Sequence, residues 1–197
     1  MKPPTNLTVV SNNCWGAEFY KEYNVEFLSP FVGLYIYPEC YLKILDDPIV
    51  ALKGPLRFAK SSRFEQETPF PIGLLHEDIE IHFMHYDSEE EALSKWKRRV
   101  VRMNKDPINW HVKIDDREGA SRENIQRFLD LSYPNKVALS TFDIHHPNHV
   151  KMPNEKGKNH VVDGLTLYRQ GKRYWDQTQW FSSGQVKPYS WFQRIIH

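Results

Sequence analysis

One stretch limits the possible folds more than any other. Residues 88–103 read as a single amphipathic helix opening on Ser88, with Glu91 three positions on, the pairing of a capping box. The acids Glu89, Glu90 and Glu91 fill its first turn and bases run from Lys95 to Arg102, the order that complements a helix dipole. Ala92, Leu93, Trp96, Val100 and Met103 fall on one stripe. A helix with one apolar stripe has to bury it, and the short apolar runs around it predict that it lies on a sheet.

Those runs alternate with further helical patterns. Residues 7–11 form a β-branched strand that ends at Asn12-Asn13, followed by a short helix over about 16–23. Residues 31–37 read as a central strand apolar on both faces, and Pro38 then opens a helix carrying Tyr41, Leu42 and Leu45. Residues 56–59 and 79–84 are strand candidates, the second alternating as a half-buried strand does. A strand at 109–114, a helix at 121–131 capped by Ser121 and a strand at 136–141 complete the alternation. It predicts an α/β fold: a three-layer sandwich on a mostly parallel central sheet, one domain over 1–197. Residues 145–164 read as a polar loop, and the aromatic-rich segment to 197, with Trp175, Trp180, Phe181, Trp191 and Phe192, as an extension closing over one face or edge.

Composition narrows the function classes. Twenty-six Lys and Arg face 25 Asp and Glu, a net charge of +1, whereas nucleic-acid binding draws on a basic excess. No partner of that kind is expected. No apolar run reaches the length of a membrane span, the first residues lack a signal-peptide pattern, and two cysteines are too few for a disulfide framework, so a reducing cytoplasm is expected. There is no Gly-rich phosphate loop and no Gly-x-Ser-x-Gly elbow.

The residues that carry chemistry follow the first strand. In open α/β sheets ligands bind beyond the carboxyl ends of strands, and Ser11-Asn12-Asn13-Cys14-Trp15-Gly16 occupies that position. A helix N-terminus there would favour the Cys14 thiolate, and the Asn12 and Asn13 amides could hold an oxyanion; an inert buried thiol is the competing reading. His85 follows the strand at 79–84 and shares a sheet edge with Cys14 if the two strands run parallel. Asp143, His145, His146 and His149 could ligate a metal, but Pro147 breaks their spacing, so a solvated loop is preferred and no metal is expected.

The motif at 11–16, Ser29-Pro30-Phe31-Val32-Gly33-Leu34, Asp78 with His85-Tyr86, and Lys95-Trp96 with Arg99 and Arg102-Met103-Asn104 together resemble an uncharacterised bacterial family whose members are labelled exopolysaccharide-biosynthesis proteins. The resemblance runs from about residue 8 to 141. The chain is also similar, more loosely, to capsule acetyltransferases that place an Asn-Cys pair after a first strand and bind coenzyme A. The resemblance implies work on a sugar or polysaccharide precursor. On this reading Cys14 is the nucleophile, accepting an acyl group from a coenzyme A thioester, His85 the base and Asp78 its orienter. Asn12, Asn13, Trp15, Ser29 and Arg99 are the candidate substrate contacts. Asp78 begins the strand that His85 ends, about 23 Å away if the strand is straight, and Asp87 is then the alternative orienter. A glycosyltransferase and a non-catalytic carbohydrate-binding protein are the rival readings; Asp46-Asp47 and Asp115-Asp116 lack the Asp-x-Asp spacing of the former.

Overall fold

A computed structural model of the chain describes residues 4–65 and 67–196. Among them the order is β1 (Val9–Ser11), α1 (Trp15–Glu22), α2 (Pro38–Asp46), α3 (Pro48–Lys53), β2 (Arg57–Ala59), β3 (Ile72–Leu75), β4 (Ile79–His82) and α4 (Glu89–Arg102). There follow β5 (His111–Asp115), α5 (Arg122–Asp130), β6 (Asn135–Ser140), β7 (His149–Lys151), α6 (Gly164–Gly171), α7 (Gln177–Ser183) and α8 (Trp191–Ile196). The central sheet has the order β1-β5-β6-β7 and is parallel throughout. A separate antiparallel sheet has the order β2-β3-β4.

The side-chain alternation of the central strands divides the core. Val10, Val112, Ile114 and Ala138 pack with α2, α4 and α5 and with Ile79 and Ile81 of β4. Val9, Val137, Leu139 and Val150 face the other way, against α1, α6 and α7. The aromatic C-terminal region is therefore helical and supplies the second face: Trp175, Trp180 and Phe181 gather around Trp15. Helix α4 begins where the sequence places it, with Ser88 Oγ accepting from Glu91 N, and its stripe carries Ala92 and Trp96 into the core.

Three sequence expectations need correction. Residues 31–37 form no regular strand, because Gly33 turns into the left-handed region (φ 72°) and Pro30 and Pro38 bound the segment. A single bridge remains, with Tyr35 N donating to His82 O (2.9 Å) and His82 N to Tyr35 O (3.0 Å); Ile36 N meanwhile donates to Asn12 O (2.8 Å). This segment joins the two sheets. Secondly, β4 is buried at all four positions rather than on one face, since Glu80 accepts from Ser62 Oγ and Arg63 N, and His82 stacks on Tyr35. Finally, the expected loop at 145–164 contains β7, whose Val150 is buried at the edge of the central sheet.

Trp96 packs edge-on against Phe31 and Phe83, both 5.9 Å between ring centroids. Trp96→Ala should cost about 3–5 kcal/mol of folding stability, read by denaturant unfolding; a wild-type unfolding midpoint would show that the α4 face is assigned wrongly.

Candidate functional site

β5 places polar side chains where a strand covered on both faces ordinarily carries apolar ones. Lys113 and Asp115 alternate with Val112 and Ile114, and both are fully buried as an ion pair. Two asparagines after β1 complete the pairing. Asn12 Oδ1 accepts from Lys113 Nζ and from Asp115 N (both 3.1 Å), and Asn13 Oδ1 accepts from Lys113 Nζ (3.1 Å) and Trp15 N (3.2 Å). Their amide nitrogens point at carboxylates: Asn13 Nδ2 donates to both Asp115 oxygens (3.0 and 2.9 Å) and to Glu118 Oε2 (3.0 Å), while Asn12 Nδ2 donates to Glu118 Oε2 (3.1 Å). The amides are thus committed to Asp115 and Glu118 rather than free for an oxyanion. Burial first, and then the charge of Asp115, push the Glu118 carboxyl well above its usual range.

This network forms the floor of a cleft of about 540 Å³ beyond the carboxyl ends of β1 and β5. Cys14 and Asn13 line it from the β1 turn, Arg117 and Glu118 from the β5 turn, and Tyr35, Tyr37, Glu65 and His85 from the antiparallel-sheet side. His160, Asp163, Gly164 and Leu165 close it. Gly164 is needed there: a Cβ at this position would stand 2.7 Å from Trp15 N, so α6 starts directly against the Cys14 turn. Tyr35 and Tyr37 both donate their hydroxyls to Glu65 Oε1, the latter at 2.8 Å.

Cys14 is half-buried, with its Sγ directed at Leu34 O (3.7 Å). The thiol is pushed up to about 11, by burial first and by the Glu118 charge second, so desolvation outweighs the expected pull of the α1 N-terminus. His85 is exposed and is tied through its backbone N–H to Gly33 O (3.0 Å). Cys14 and His85 line the same cleft, but from two sheets rather than one parallel edge, and no hydrogen bond joins their side chains.

Other expected contacts lie elsewhere. Asp78 is exposed at the far end of β4 and paired with Lys43 (2.8 Å), which holds its carboxyl below the usual range; it does not reach His85. Asp87 is exposed and uses its backbone N–H on Glu91. Trp15 is wholly buried in the aromatic cluster, and buried Ser29 caps its own turn by accepting from Phe31 N (3.2 Å). Arg99 does line a cavity, a second lobe of about 360 Å³ that shares Cys14, His85 and Leu165 with the first. In the histidine loop, His149 lies between Ser140 Oγ (2.8 Å) and Ile144 O (3.1 Å), and Asp143 pairs with Lys151 (3.3 Å). Among the described residues no three His, Cys, Asp or Glu side chains gather as a metal site, and no helix is long and apolar enough to cross a membrane.

Residues 3–182 match the family described as "Domain of unknown function (DUF1919)". The chain belongs to that family. The matched segment extends well beyond residue 141 and takes in β7, α6 and most of α7, so both faces of the sheet and the whole cleft lie within the DUF1919 domain. An "Uncharacterized protein" of Haemophilus influenzae (strain Rd) is similar to it, 36% identical over 190 residues, covering 89% of this chain and 84% of the relative.

Lys113 and Glu118 have no role in the sequence pattern, which ends the strand at Ile114 and offers Asp115 only as half of an adjacent acidic pair. The available signal was a lysine alternating with valine and isoleucine in a strand that a three-layer fold covers on both faces. Lys113→Met should leave Asp115 buried without its cation and cost about 3–5 kcal/mol, read by denaturant unfolding. Glu118 gives a pH test. Its native carboxyl titrates above its ordinary 4.5, so the native state holds this proton longer than the unfolded chain. That contribution is complete below 4.5 and is lost as pH rises through the native value. Glu118→Gln should therefore flatten the fall in stability toward neutral pH, read from melting temperatures across pH 4 to 9; an unchanged slope would place the effect on another group.

Proposed function

We propose that the chain acts in the cytoplasm on a sugar-containing precursor of a surface polysaccharide, transferring an acyl group from a coenzyme A thioester. The observation that carries this reading is the meeting of Cys14, His85 and Glu118 in one cleft although they come from three separate turns of chain. The motifs at 11–16 and 85–86, in their resemblance to exopolysaccharide-biosynthesis proteins, support the sugar precursor. So do Tyr35 and Tyr37 beside Glu65, since aromatic rings with a carboxylate suit the faces and hydroxyls of a sugar.

In this scheme the Cys14 sulfur attacks the thioester carbonyl and its proton passes to His85. The carbon–sulfur bond to coenzyme A breaks, and the leaving thiolate takes that proton from His85. A sugar hydroxyl then attacks the S-acyl group, giving its proton to His85, and the Cys14 sulfur leaves and recovers it. The raised carboxyl of Glu118 is an acid able to donate to the oxyanion, a task the committed asparagine amides do not perform. The raised thiol of Cys14 favours a second reading, a carbohydrate-binding cleft with no covalent step.

Labelling separates the two. Cys14 is half-exposed in the cleft, whereas Cys40 is wholly buried and engaged by Arg63 (2.9 Å) and Glu80 N (3.3 Å). Iodoacetamide should modify Cys14 first, at a rate rising about tenfold per pH unit in His85→Ala, where no base assists, and less steeply in the wild type. Acetyl coenzyme A should leave an acetyl group on Cys14 by mass spectrometry, removed by Cys14→Ser. Faster labelling of Cys40, or no adduct, would favour the binding reading.

A further inference from the structure

The second lobe holds a buried cation with no carboxylate in ion-pair contact among the described residues. Arg99, on α4, is 6% exposed, and a guanidinium so deeply placed ordinarily has a carboxylate beside it. None is paired with it among the described residues, although its neighbours in space and sequence are paired: Lys21 with Glu18 (2.6 Å), Lys95 with Glu91, and Arg102 with Glu26 (2.6 Å). Instead Arg99 donates from Nη1 to Tyr86 Oη (2.5 Å) and Val32 O (3.4 Å), with its planar face over Phe27 (4.9 Å). Both bonds use one nitrogen. The rest of the fork remains available where the side chain lines the lobe.

Lys95 lines the same lobe from one helical turn before Arg99, and Lys21 faces it from α1. Three cations thus line about 360 Å³; Glu18 and Glu91 pair the two lysines while Arg99 has no carboxylate in ion-pair contact, and Gly33 leaves backbone rather than a side chain at the wall. A guanidinium fork matches phosphate oxygens in pairs, and two flexible ammonium groups can follow a second phosphate. We infer that this lobe is an anion subsite for the phosphate or diphosphate group of a substrate whose reacting end extends past Cys14 and His85 into the first lobe. The substrate's orientation rests on the active-site reading given above; the anion subsite does not.

Two carriers present this chemistry, coenzyme A and a nucleoside-diphosphate sugar, and binding to the full-length chain distinguishes them. Isothermal titration with inorganic pyrophosphate should show binding that weakens with added salt. The double variant Lys21→Gln/Lys95→Gln, altered where the side chains reach solvent, should weaken it at least about tenfold, equivalent to about 1.4 kcal/mol. Arg99→Lys keeps the charge, loses the fork and should weaken binding while its melting temperature reports on folding. Tighter binding of free coenzyme A than of uridine diphosphate glucose assigns the lobe to a thioester donor; the reverse assigns it to a nucleotide-linked sugar, and either result retains the subsite. If none of the three probes binds at millimolar concentration, or the double variant binds pyrophosphate as the wild type does, the anion subsite is wrong. Acetylation of Cys14 would then still stand by itself.

Discussion

A lysine and an aspartate buried without water are costly unless every donor and acceptor between them is used, and the architecture around the cleft follows from meeting that demand. Lys113 and Asp115 are two positions apart on β5 and so point to the same face. The remaining partners come from the adjacent parallel strand, where β1 stops and Asn12 and Asn13 present a carbonyl oxygen to the lysine and an amide nitrogen to the acid. An isolated carboxamide satisfies one kind of group; two side by side satisfy both. The turn into α1 is held by the same atoms, because Asn13 Oδ1 also takes Trp15 N. Asn13 thus ties the ion pair to the turn that carries Cys14, while the Asn12 side chain serves the ion pair and Glu118.

The second consequence is electrostatic. Glu118 stands at the rim of this network, sharing the asparagine amides with Asp115, and cannot carry its charge at ordinary cost beside another carboxylate. Its carboxyl is pushed above the usual range, and it lies in the same cleft as a thiol that burial also pushes up. Both groups are thus shifted toward their protonated forms, with the exposed His85 lining the same cleft.

Much of the scaffold was legible because its signals are local. Ser88 and Ser121 cap their helices, the stripe on α4 points inward, and the β-branched run at β1 and the strand candidate at 136–141 form parallel strands. The failures came where an interaction across the chain overrides local pattern. Residues 31–37 are apolar enough for a strand, but the left-handed turn at Gly33, closed over by Tyr86, allows a single bridge. Trp15 sits in a motif that looked like a binding loop, yet its ring is claimed by tryptophans some 160 residues later in the chain, which no spacing rule relates to it. Cys14 and His85 were named from their positions after strands, and both line the cleft; the acids and the lysine beneath them became visible only once β5 lay beside β1.

The segment that joins the two sheets has a mechanical meaning. Cys14 follows β1 of the central sheet and His85 follows β4 of the antiparallel one, and between them run the Tyr35–His82 bridge, the hydrogen bond from Ile36 N to Asn12 O and that from His85 N to Gly33 O. A few backbone hydrogen bonds and a shared apolar core, rather than a continuous ladder of strands, hold the two sheets together. The spacing of the two side chains is accordingly set by this short segment and by the core that Ile79, Ile81 and Phe83 share with Val10, Val112 and Ile114.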